Sequence, residues 1–141
     1  MRRSWICFCL LLFFSGPALA ERAERAIADC QAKPNHAASR ECLEDAVAAS
    51  NVAMNSLENE FPKWLLALDE DKAAVTNSVD RFNETQSAFR VYREKQCALH
   101  GMMSFGGNSA GDRIAICRLQ LNEERSRDLI GILRRGQLKE N

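Results

Sequence analysis

Nowhere in this 141-residue chain does an apolar run reach the roughly 20 residues that a bilayer-spanning helix requires. The longest, Trp5 to Phe14, is far too short, so no membrane anchor is expected. Histidine is almost absent: His36 and His100 are the only two, too few for a multi-histidine metal centre. The chain has no Gly-x-Ser-x-Gly elbow, no His-Glu-x-x-His pair and no glycine-rich phosphate loop, which removes the common signatures of hydrolases, metalloproteases and nucleotide-binding enzymes. An excess of basic charge is missing too, and with it the electrostatic footprint of a nucleic-acid binder. Internal repeats and low-complexity segments are absent, and no stretch alternates β-branched with polar residues, so nothing predicts a strand.

What is present begins with an export signal. Arg2 and Arg3 precede the apolar run, Gly16-Pro17 breaks it, and Ala18-Leu19-Ala20 offers the small residues that a signal peptidase accepts. Residues 1–20 are therefore expected to be a signal peptide cleaved after Ala20, leaving one domain over 21–141 in the periplasm or outside the cell. Cys7 and Cys9 lie inside the signal, without a motif that would make either a lipid-attachment cysteine. Loss of Arg2 and Arg3 leaves 17 basic residues against 19 acidic ones, a mature net charge of −2. That balance suits ordinary solubility and is compatible with a cationic partner.

Four cysteines survive processing: Cys30, Cys42, Cys97 and Cys117. An even number in a small exported chain points to two disulfides, for which three pairings are formally open. The sequence-local pairing, Cys30 with Cys42 and Cys97 with Cys117, is expected here. No two of the four have the close spacing of a structural zinc knuckle.

Helix formers dominate the rest, and the fold class is all-α: a small antiparallel bundle of four to five helices stapled by two disulfides. A short helix is predicted from about Arg22 to Lys33, ended by Pro34. The next starts near Ala37 to Ser39 and carries Leu43, Val47, Ser50, Met54, Leu57, Phe61, Trp64 and Leu68 on one stripe. Pro62 interrupts it, predicting either a bend or two helices meeting there. A further helix is predicted from Thr76 to Leu99, then a glycine loop from Gly101 to Gly111. Asp112 offers an N-cap for a last helix that Gly136 can stop.

Three features bear on function. Gln86, Arg93 and Arg125 interrupt apolar stripes, so each must find a polar partner; they either tie helices together, the commoner use of buried polar groups, or line a ligand site. Cys97, His100, Met102 and Met103 form a soft-ligand set suited to copper(I), but an oxidised Cys97 offers no thiolate, so no metal site or cofactor is assigned. The glycine loop presents Phe105 among small neighbours, making Phe105, Gly106, Gly107 and Asn108 the candidate partner-binding residues, unless Phe105 folds back on the core. The acidic residues Glu58, Glu60, Asp69, Glu70 and Asp71 are read as a solvated face.

Asp29-Cys30, Cys42-Leu43, the block from Gln86 to Cys97, the glycine loop, Cys117 and Glu124-Arg125 with Leu129 together resemble the lysozyme inhibitor LprI-like family of exported bacterial domains. Phe89 stands where that family more often has Trp. The resemblance implies a helical, disulfide-linked extracytoplasmic domain, not an enzyme, with lysozyme as a protein partner for some members. An immunity or adaptor protein for another envelope partner, or a copper-binding protein, are the alternative expectations.

Overall fold

The computed structural model describes residues 19–137. Among these residues it has four helices and no strand: α1 (Leu19–Gln31), α2 (His36–Leu66), α3 (Lys72–Met102) and α4 (Ala110–Gln137). The signal-peptide expectation lies outside the described residues except at Leu19 and Ala20.

Helix starts follow side-chain capping. After Pro34, the Asn35 side chain accepts the Ala38 amide at 2.9 Å, and α2 begins at His36. The Asp71 carboxylate accepts the amides of Ala73 and Ala74, both at 3.0 Å, so α3 begins at Lys72, four residues before the predicted Thr76. Pro62 does not divide α2, which runs unbroken to Leu66. Buried residues on both sides of it, Met54 before and Leu65 after, supply packing that offsets the lost hydrogen bond. Leu65 rather than Leu68 completes the stripe, because α2 ends at Leu66.

Further boundaries differ from expectation for tertiary reasons. Gly101 lies inside α3, where a Cβ would come within 2.8 Å of the Ile114 side chain, so this glycine permits close approach of α3 and α4. The expected Gly101–Gly111 loop is thereby reduced to a turn over residues 103–109. Gly136 does not stop α4; the helix continues to Gln137, and the Trp64 ring occupies the space a side chain at Gly136 would need.

Sequential helices are antiparallel neighbours, as short connections require. Two successive reversals make α2 and α4 parallel, and theirs is the most extensive interface in the bundle. His36 meets Asp112 at one end of this pair, and Trp64 meets Gly136 at the other. The short α1 and the long α3 flank the pair on opposite sides and do not pack on each other.

The interior has two apolar clusters. Ala23, Ile27, Cys30, Leu43 and Leu119 fill one end, and Phe61, Leu65, Phe82 and Leu129 the other, with the Phe61 and Phe82 rings stacked at 4.6 Å. Full burial of a side chain such as Leu43 or Leu129 contributes about 2 kcal/mol. Both local disulfides are formed: Cys30–Cys42 ties α1 to α2, and Cys97–Cys117 ties the end of α3 to the start of α4, each with a Cα separation of 5.4 Å.

Candidate functional site

The turn between α3 and α4 is built from consecutive backbone hydrogen bonds. Ser104 donates to the Gly101 carbonyl at 3.0 Å, Phe105 to Met102 at 2.9 Å and Gly107 to Ser104 at 2.9 Å. The chain then reverses through Phe105 and Gly106, whose φ values are +49° and +80°. Glycine adopts such a conformation freely, but for phenylalanine it costs on the order of 1 kcal/mol. Phe105 is the only described non-glycine residue with positive φ, and its side chain is 89 % exposed rather than folded on the core. Gly106, Gly107 and Asn108 are exposed beside it.

The turn is braced from α2. Arg40 Nη2 donates to the Asn108 carbonyl at 2.6 Å, while its Nε donates to Asp112 Oδ1 at 3.1 Å. His36 Nε2 lies 2.6 Å from Asp112 Oδ2. Asp112 is therefore not the N-cap of α4, which begins two residues earlier; it is the acceptor that receives two side chains of α2. Burial pushes the Asp112 carboxyl up, but the hydrogen bonds and positive charge of His36 and Arg40 outweigh this and hold it below its ordinary value.

Around the turn the surface is apolar: Leu99, Met102 and Met103 are all at least half exposed. The soft-ligand reading of this cluster loses its thiolate, because Cys97 is fully buried in its disulfide. His100 instead has its Nε2 3.3 Å from Gln96 Nε2. Among the described residues no group of three or more His, Cys, Asp or Glu side chains is placed to hold a metal ion.

Gln86, Arg93 and Arg125 converge on a polar layer between the two apolar clusters. Its centre is Glu58, which corrects the reading of that residue as part of a solvated face: its side chain is wholly buried. Glu58 Oε2 accepts from Gln86 Nε2 at 2.7 Å and from Arg90 Nη2 at 2.8 Å. Arg125 Nε lies 3.9 Å from Glu58 Oε1, with its guanidinium 5.7 Å from the Phe82 ring centre and 5.6 Å from that of Phe89. Phe89 thus packs under a cation, which needs an aromatic face and no indole N–H. Arg93 donates to Asn122 Oδ1 at 2.6 Å and to Asn51 Oδ1 at 3.1 Å, and Asn122 donates in turn to Ser50 and Asn51. These residues link α2, α3 and α4.

The missed members of both sites are Glu58, Asn122, Arg40 and Asp112. Glu58 was within reach of the sequence, since it follows Met54 by four and precedes Phe61 by three on the same stripe. Arg40 gave no such signal, because its partners are 68 and 72 residues away.

A bundle of four helices, closed by two local disulfides and presenting one braced aromatic turn, defines a small disulfide-stapled helical domain. The family described as Lysozyme inhibitor LprI matches residues 28–129, and the chain belongs to that family. No match is found among curated proteins. None is found among solved structures either.

Proposed function

We propose that this protein is exported, loses its signal peptide after Ala20, and inhibits a lysozyme by direct binding rather than by catalysis. Family membership supports the class of partner. Two disulfides accord with an oxidising compartment, and no described helix is long and apolar enough to cross a membrane.

The observation that carries the choice of site is Phe105, 89 % exposed in a left-handed backbone conformation. A strained, solvent-facing aromatic persists only where its surroundings hold it, and here Arg40 and the Cys97–Cys117 disulfide do so. Phe105 is the anchor that enters a cleft of the enzyme, with Gly106, Gly107 and Asn108 small enough to let the backbone follow. Preorganisation of the turn lowers the entropy lost on docking, and an aromatic buried at the centre of an interface carries much of its affinity. Occupying the cleft excludes the polysaccharide.

The test is lysis of a bacterial cell-wall suspension by lysozyme, with and without residues 21–141. Protection at micromolar concentration is expected, and its absence would sink the proposal.

A further inference from the structure

α3 changes character along its outward face. Toward the N-terminus that face carries Asn77, Arg81 and Glu84; from Ala88 onward it carries Val91, Tyr92, Leu99 and Met102, with Lys95 the one charge among them. All four of these large apolar residues are at least half exposed, so no other described helix covers them. Past the end of the helix Met103 and Phe105 are exposed as well.

Beside this crest lies a groove of about 370 Å³, formed because α1 and α3 flank α4 without meeting. Tyr92, Gln96 and His100 wall it on the α3 side, and Glu24 on the α1 side. Glu123 and Glu124 of α4 lie along its floor. Among the described residues none of the three carboxylates has a cationic side chain within 4.0 Å, although Glu24 accepts a hydrogen bond from Gln120 at 3.1 Å. Arg127 at the rim is the single arginine or lysine in the lining, against three glutamates. An aromatic face next to unpaired carboxylates is the arrangement that receives a lysine or arginine side chain, by cation–π contact and charge-assisted hydrogen bonding together.

We propose that the crest of α3 and the α1/α3 groove form one docking surface for the basic face of a partner protein. The crest supplies apolar contact, and Glu24, Glu123, Glu124 and Tyr92 take a basic side chain. This rests on the inhibitor reading for the identity of the partner, and it extends the contact from Phe105 along α3 into the groove. The charge of the groove, not the turn, selects a cationic partner.

Two measurements separate this proposal from that reading. In the first, the ¹⁵N-labelled protein is titrated with a hexa-arginine amide peptide and followed by NMR. Amide shifts are expected at Tyr92, Gln96, His100 and Glu123–Glu124, with binding at least tenfold weaker in the double variant Glu123→Gln/Glu124→Gln. Shifts confined to the Asp69–Asp71 turn, shifts unchanged by the double variant, or no shifts would overturn the groove. In the second, the wild type, the double variant and Tyr92→Ala are compared in the lysis assay; both variants alter side chains at the surface and leave the core intact. Inhibition weakened at least tenfold in each, and relieved by salt, is expected. Inhibition equal to wild type in both would overturn the docking surface while leaving the inhibitor function standing. Absence of inhibition by the wild type would remove lysozyme as the partner and leave the peptide titration to decide the groove. A dimer in sedimentation that dissociates in Tyr92→Ala would show that a second copy covers the crest, and would overturn the proposal.

Discussion

Gln86 Nε2 donates to Glu58 Oε2 at 2.7 Å, joining α3 to α2 through a carboxylate with no solvent exposure. Removing that carboxylate leaves the partly buried Gln86 and Arg125 without it, whereas Arg90, half exposed, can turn to water. Glu58→Ala is expected to cost about 3–5 kcal/mol. Glu58→Gln, which keeps the shape and one acceptor, should cost less. Urea denaturation followed by circular dichroism measures both, and a loss below 1 kcal/mol for Glu58→Ala would show that the layer does not depend on this carboxylate.

At Phe105 stability and binding are expected to move in opposite directions. Asparagine tolerates the left-handed conformation that phenylalanine resists, so Phe105→Asn should raise stability by up to about 1 kcal/mol. The same change removes the proposed anchor and should weaken inhibition by about 2 kcal/mol, roughly thirtyfold. Thermal unfolding and inhibitor titration of one variant test both halves.

Arg40 bridges the turn and Asp112, so Arg40→Ala should loosen the turn more than it destabilises the bundle. Hydrogen exchange is expected to accelerate over residues 103–109 while α2 and α3 keep their protection. Inhibition should weaken, because a mobile turn pays its ordering entropy on docking.

Acid should weaken the same region. Asp112 is held below its ordinary value by His36 and Arg40, and Glu94 likewise by Arg118 and Arg93 against the opposing effect of burial. A depressed carboxyl contributes stability that is complete above its unfolded value and is lost as pH falls through its folded value. The loss is therefore expected below about pH 4. Asp112→Asn should flatten part of that slope when urea midpoints are measured between pH 7 and pH 2; an unchanged slope would show that the ion pairs contribute nothing measurable.

The paired variant Cys97→Ser/Cys117→Ser should lose about 3 kcal/mol, since the bond closes a loop across a sequence separation of 20. Non-reducing peptide mapping of wild type is expected to recover Cys30 with Cys42 and Cys97 with Cys117, and nothing longer in range.

Local pattern along the chain is enough to place the helices, to favour the near disulfide pairs and to single out polar residues that belong inside. Each of these is local: the Leu43 to Phe61 stripe repeats every three to four residues, the cysteines pair across short separations, and Gln86, Arg93 and Arg125 break apolar stripes within their own helices. Where those elements meet depends on contacts between helices far apart in sequence. Glu58 is buried because α3 and α4 both bring cations to it, Gly101 stays helical because Ile114 of α4 packs against it, and Gly136 does not end its helix because Trp64 lies across it. Phe105 is held out in solvent by an arginine 65 positions earlier in the chain, acting through Asn108 and Asp112, and the groove between Glu24 and Tyr92 exists because α1 and α3 fail to touch. Such partners are set by the parallel seating of α2 against α4, which no spacing of residues along a single helix encodes.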